Sequence, residues 1–283
     1  MRGCNNYCAY CIVPYTRGPE RSRPADDILK EIGDMAAAGF REITLLGQNV
    51  NSYHDGKVDF AGLLRAASRV ERIVRIRFMT SHPKDLSLSV LEAVAEESVL
   101  CNHIHLPVQA GSNRILKAMN RRYTREHYIR LVEQARTLIP DVAVTTDIIV
   151  GFPGESESDF MDTVDLIKTL AFDDAFTYHY SPRSGTAAYG MKDNVPREVK
   201  LARLDRIIKL QREITAKKKK ALIGRTMTVM PERTSKESSL EWMGRTATDH
   251  VVVFPKASST PGIPVRVQIN SCRGYTLRGR IAS

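Results

Sequence analysis

The alternation of segment types between residues 23 and 181 constrains this chain more than any other feature. Runs rich in apolar and β-branched residues stand at Arg41–Leu46, Ile73–Met79, His103–Val108, Val142–Val150 and Ala175–Tyr180. Stretches with helical spacing lie at Ala25–Ala38, Phe60–Val70, Ser87–Glu97, Ser112–Met119, Thr124–Ile139 and Glu157–Leu170. Strand and helix taking turns over such lengths predict βαβ units and a parallel sheet. Right-handed crossovers wind such units into a barrel or an open doubly wound sheet. In either form the loops at the carboxyl ends of the strands build the site.

Beyond residue 196 the texture changes. Pro196–Ile223 reads as one long basic helix, with Leu201, Leu204, Ile207, Ile208 and Ile214 expected on its buried side and a stop at Gly224. Short alternating runs follow at Thr226–Met230, His250–Phe254, Val265–Ile269 and Tyr275–Ile281. They predict a small all-β barrel of about five strands. Two domains are expected, residues 1–216 and 217–283. Charge divides the chain in the same way. Residues 196–283 hold 19 basic and 7 acidic side chains, whereas residues 1–195 hold 23 and 25. A localised basic field suits a polyanion such as nucleic acid, though a merely soluble surface has the same composition. Neither a secretory signal nor an apolar run near the roughly 20 residues of a membrane span is present. A cytoplasmic protein with no membrane partner is expected.

Three of the five cysteines, Cys4, Cys8 and Cys11, form C-x3-C-x2-C, while Cys101 and Cys272 stand apart. Thiolates are soft ligands for iron–sulfur clusters or zinc. A closed zinc site takes four ligands. Three thiolates on a 4Fe–4S cluster leave one iron open for a substrate or cofactor. Cluster, zinc and unmetallated thiols all remain open on spacing alone.

The triplet with Tyr10 before its third cysteine resembles the radical S-adenosylmethionine enzymes. The longer run Gly3–Gly18, followed by Arg21-Ser-Arg-Pro24, resembles their methylthiotransferase family. So do Leu45-Leu-Gly-Gln-Asn-Val-Asn51, Thr80-Ser-His-Pro83, His105–Asn113 and Asp147–Glu155. Gly244-Arg-Thr246 and Val251–Phe254 resemble a TRAM domain, although Thr248-Asp249-His250 departs from the usual asparagine-bearing text. The resemblance implies a partial (β/α)6 barrel followed by a small all-β RNA-binding barrel. It implies a 4Fe–4S cluster on Cys4, Cys8 and Cys11, and S-adenosylmethionine as radical source and methyl donor. The implied reaction places a methylthio group on carbon 2 of an N6-prenylated adenosine beside the tRNA anticodon. The sibling reaction on threonylcarbamoyl-adenosine is the alternative within the family. A non-catalytic RNA-binding remnant is the alternative outside it.

The same resemblance implies that Gly47, Gln48, Gln109, Ser112, Arg121 and Asp147 hold the cofactor. Gly47 and Gln48 would approach its amino group, Arg121 its carboxylate and Asp147 its ribose. Against that, Gly47 and Gly151 suit tight turns, and Arg121 or Arg122 a solvated helix end. His82 and His105 are expected as hydrogen-bonded structural residues, Cys101 as a buried filler. Glu155 either shapes the site floor or starts the next helix. Trp242, Arg245 and Arg273 are candidate RNA contacts, with Trp242 equally a core anchor. Expected partners are a tRNA anticodon stem-loop and a reductant such as flavodoxin or ferredoxin, and a monomer is expected. The family pattern also places a domain with a second 4Fe–4S cluster, and a first barrel strand, before the triplet. With Cys4 so near the start, both are expected to be missing, which would leave the first strand seen here with an unpaired edge.

Overall fold

The computed structural model describes residues 1–257 and 259–282. Five parallel strands form the wall of an incomplete barrel. Strand β1 (Glu42–Leu45) pairs with β2 (Arg75–Phe78), and β3 (His103–His105), β4 (Ala143–Val150) and β5 (Asp174–His179) form a second parallel group. The two groups meet where Ile76 N–H donates to Val99 O at 2.8 Å and Cys101 N–H donates to Ile76 O at 2.9 Å. Helices α2 (Ala25–Ala37), α3 (Phe60–Ser68), α4 (Leu88–Glu96), α5 (Asn113–Ala118), α6 (Arg125–Leu138) and α7 (Glu157–Leu170) connect the strands, after a short α1 (Val13–Arg17) in the cysteine loop.

The two-residue period of β4 sorts its faces. Val144, Ile148 and Val150 join the core shared with Leu64, Leu91, Val132 and Ile167 of the helices, while Thr145, Asp147 and Ile149 stay partly exposed on the other face. Helix starts are fixed locally. Ser156 and Asp159 make a reciprocal capping box on α7, and Thr124 caps α6 through the His127 N–H. Strand β3 is shorter than its apolar run predicts. Pro107 has no N–H to donate, and the chain rejoins β4 only at Gln109, in a left-handed conformation at φ 72°. Among the described residues β1 pairs with β2 alone. A groove of about 390 Å³ beside it is lined by Ile28, Ile32 and Met35 of α2 and Ile43 and Leu45 of β1.

Helix α8 (Arg197–Lys220) corrects the expected apolar side. Of the five residues predicted there only Ile207 is fully buried, and Leu201 is 43% exposed. The buried face is Lys200, Arg203, Ile207, Gln211, Thr215 and Lys219, one residue every three or four. Polar partners replace apolar packing. Arg203 pairs with Glu155 at 2.8 Å, Gln211 Nε2 donates to Phe172 O at 2.9 Å, and Thr215 Oγ1 donates to Asp173 O at 2.9 Å.

The C-terminal unit is a closed five-stranded barrel of β6 (Thr226–Thr234), β7 (Glu241–Thr246), β8 (Val251–Pro255), β9 (Val265–Arg273) and β10 (Thr276–Ile281), in the order β10-β8-β7-β6-β9. Its core is Val229, Val252, Phe254, Val267, Ile269 and Leu277. Strand β7 carries no alternation and escapes the sequence reading. Its Gly244 passes so close to β6 that a Cβ would lie 2.1 Å from Met230 O. The barrels are joined at the amino end of β2. Arg75 donates to Arg245 O at 2.7 Å and Arg77 to Thr246 O at 2.6 Å, and both pair with Glu42. No helix among the described residues is long and apolar enough to cross a membrane.

Candidate functional site

The cysteine loop crosses the carboxyl ends of the strands and is held from three sides. Gln48, just past β1, accepts the Gly3 N–H at 2.7 Å. Gly3 sits at φ 81°, where an added Cβ would meet Pro19 O at 2.0 Å, so only glycine fits. From the α5 end, Met119 O accepts the Ala9 N–H at 2.9 Å and Asn120 Nδ2 donates to Tyr7 O at 2.8 Å. From the segment after β5, Ala188 N–H donates to Ala9 O at 2.7 Å. Within the loop Cys11 N–H donates to Cys8 O at 2.9 Å.

The three thiols lie within electrostatic reach of one another. Burial pushes the Cys4 and Cys11 thiols up, and the neighbouring Cys8 adds to both shifts. Among the described residues no three His, Cys, Asp or Glu side chains converge on a single metal ion. Three soft thiols held on one rigid loop, with a buried cation beside them, suit a cluster whose ligands stand apart on separate irons.

The residues expected to hold the cofactor surround this loop, but several are already engaged. Gly47 lies against Met1, whose Cγ is 2.6 Å from the position of an added Cβ. Gln48 spends its side-chain oxygen on the loop. Ser112 Oγ donates to Asp159 Oδ1 at 2.6 Å. Gln109 is buried and fixed through its backbone between Asp147 and Ile149. Asp147 remains partly exposed, 3.4 Å from His105 Nε2. Arg121 is not a solvated helix end. It is 4% exposed, and one guanidinium nitrogen lies 3.2 Å from Cys8 Sγ.

The histidines at the strand ends are hydrogen-bonded to neighbouring groups. His105 Nδ1 and His103 Nε2 share Thr145 Oγ1 at 3.0 Å each. His82 Nδ1 accepts the Lys84 N–H at 3.2 Å, and burial with the nearby Arg121 charge pushes His82 down to about 2. Its imidazole is therefore neutral, with the proton on Nε2, which has no partner. Two more orphaned buried atoms, Asn49 Oδ1 and Ser81 Oγ, occur on the same pair of strand ends. Those ends are stitched together. Asn51 exchanges two hydrogen bonds with the His82 backbone at 2.9 and 3.0 Å, and Val50 N–H donates to Thr80 O at 3.0 Å. Unpaired buried polar atoms are costly, which makes these three candidates for contact with a polar ligand. Sequence reasoning missed Asn49, Ser81, Tyr123 and Asp159. The first two lie inside motifs it quoted, and no pattern marks the others.

Of the candidate RNA contacts, Arg273 is 82% exposed and only loosely paired, with Glu237 at 3.9 Å. Arg245 is occupied by Asp249 at 3.1 Å. Trp242 packs on the small barrel's core, donates to Ser259 O at 3.3 Å and carries Lys256 over its ring at 4.1 Å.

Comparison with known proteins identifies both units of the fold. Residues 220–282 match the TRAM domain. The chain is 50% identical, over 99% of its length, to the tRNA-2-methylthio-N(6)-dimethylallyladenosine synthase of Syntrophomonas wolfei, and 50% identical to that of Thermoanaerobacter pseudethanolicus. It spans 64% and 60% of those two proteins. Among solved structures, coproporphyrinogen III oxidase from Escherichia coli superposes with a TM-score of 0.58 at 15% identity, covering 87% of this chain and 65% of that one. A radical S-adenosylmethionine methyltransferase from Kitasatospora setae gives 0.56 at 18% identity, over 66% of this chain and 37% of that one. Residues 1–167 match the family model that describes the Radical SAM superfamily, and the chain belongs to that superfamily.

Proposed function

We propose that this chain forms the radical and RNA-binding part of a tRNA methylthiotransferase. Its substrate is an N6-prenylated adenosine beside the anticodon, and its product carries a methylthio group on carbon 2. The observation that carries the reading is the gripped loop with three grouped thiols, in a chain half identical to synthases of that name. A tRNA substrate places the protein in the cytoplasm, with flavodoxin or ferredoxin as the class of electron donor.

Cys4, Cys8 and Cys11 would hold a 4Fe–4S cluster. When bound, that cluster supplies one electron to the sulfonium of S-adenosylmethionine. The chain's own residues do the rest. Gln48, Met119 and Asn120 fix the loop and so would hold its three thiols in one place. Asn49, Ser81 and His82 supply unpaired polar atoms for the amino-acid end of the cofactor. Asp147 supplies a carboxylate for hydroxyls. The basic C-terminal barrel binds phosphates and leaves base recognition to the cleft, where an unstacked loop base is accessible.

The test is anaerobic reconstitution with iron and sulfide, followed by reductant, S-adenosylmethionine and a prenylated anticodon stem-loop. Mass spectrometry reads 5′-deoxyadenosine and the modified nucleoside, with Cys8→Ala as control. 5′-Deoxyadenosine is expected from the chain alone and vanishes in the variant, whereas the modified nucleoside is expected only when the remainder of a full-length transferase is supplied. Iron-loaded chain that yields neither product would overturn the reading.

A further inference from the structure

We propose that Arg121 is the electrostatic partner of the cluster ligand Cys8. Its guanidinium donates an N–H···S hydrogen bond to Cys8 Sγ and raises the cluster's reduction potential. The inference rests on the cluster reading above and assigns Arg121 a different task from binding the cofactor carboxylate.

The census of Arg121 donors carries the argument. Guanidinium has five N–H groups. Nε donates to Tyr123 Oη at 2.8 Å and Nη2 to Pro107 O at 2.8 Å. Nη1 reaches Cys8 Sγ at 3.2 Å and Tyr10 Oη at 3.4 Å. Four of the five are committed, and the single hydrogen left on Nη2 cannot make the two-pronged fork that carboxylates favour. Among the described residues no carboxylate lies within ion-pair distance of this 4%-exposed cation. A buried guanidinium needs a counter-charge. Its other partners are a carbonyl and two phenols, so the sulfur is the one contact that can supply it.

The side chain is also immobilised. The Tyr123 ring lies 5.2 Å from its guanidinium carbon, and Tyr123 Oη is itself held by Val108 O at 2.8 Å. Arg121 N–H is tied to Leu116 O at 2.9 Å. Residues 119, 120 and 121 therefore grip the cysteine loop in succession, two through polar atoms on its backbone and the third through a ligand sulfur. Reduction adds negative charge to a cluster. A fixed cation and an N–H···S bond stabilise the reduced form and so raise the potential, most strongly where water is excluded.

The experiment is a redox titration of the reconstituted chain without S-adenosylmethionine, followed by electron paramagnetic resonance, with iron counted per chain. Arg121→Gln is expected to move the midpoint to more negative potential at full iron content, and Arg121→Lys to move it less. A wild-type midpoint in Arg121→Gln, with the loss confined to cofactor affinity, would overturn the proposal. If Arg121→Gln fails to load iron, Tyr123→Phe decides, because it removes the Nε acceptor and the Tyr123 Oη contact to Val108 O while keeping the ring beside the guanidinium. A small negative shift at full iron supports the proposal, and an unchanged midpoint sinks it. Wild-type chain that takes up no iron would instead refute the cluster reading itself.

Discussion

His82 is a neutral imidazole in a positively charged, dry corner, and that has a consequence for acid stability. The unfolded chain protonates this residue near its ordinary value of about 6.5, whereas the folded chain resists until about 2. The unfolded state thus binds the extra proton across that window, and stability falls as pH drops below about 6.5. The slope contributed is at most about 1.4 kcal/mol per pH unit. Urea midpoints measured at pH 7 and pH 5 are expected to fall further for wild type than for His82→Gln. Equal falls would show that the histidine is not held neutral.

Asp159 behaves oppositely in origin and alike in sign. Burial would raise its carboxyl, but hydrogen bonds from Arg114, Ser112 and Ser156 hold it well below the usual carboxylate range. Asp159→Ala is expected to cost about 1–3 kcal/mol at pH 7. That difference shrinks as pH falls below about 4, where the unfolded carboxyl takes its proton first. Denaturant titrations at pH 7 and pH 3 check it. The cysteine triplet was legible in the sequence because its spacing is local. The tasks of Ser112 and Arg121 were not, since their partners Asp159 and Cys8 lie 47 and 113 residues away.

Helix α8 shows why whole elements can be legible while their faces are not. Its length and ends follow from local signals, Pro196 before it and Gly224 after it. Its buried face follows from partners elsewhere in the chain. Arg203 lies against Glu155, whose carboxyl burial pushes up and which also accepts the Gly151 N–H at 2.7 Å. Arg203→Met leaves that carboxylate buried without its cation and is expected to cost about 3–5 kcal/mol. The double variant with Glu155→Leu is expected to recover most of the loss. Equilibrium unfolding of the single and double variants reads this directly, and a double variant as weak as the single would contradict the pairing. Strands β1 to β5 were found through their apolar runs. Strand β7 was missed because a close backbone approach, rather than a side-chain pattern, defines it.

At the scale of the molecule, the two barrels are locked by a charged chain that no sequence period announces. Glu42, Arg77, Asp249 and Arg245 follow one another across the junction at 2.7, 3.4 and 3.1 Å. Arg77→Met is expected to lower hydrogen-exchange protection in residues 226–281 before that in β3 to β5, at a cost of about 1–3 kcal/mol. Unchanged protection in both would show that the junction holds without this arginine.

The junction lies at the amino ends of the strands, whereas the cysteine loop crosses their carboxyl ends. Strands of three to eight residues separate the two by roughly 10–25 Å. On the proposed function, an RNA touching both ends must run down the flank of the barrel over that distance. On that reading a loop-sized oligonucleotide would meet the thiols alone, and a stem continuing away from the loop would meet the basic barrel as well.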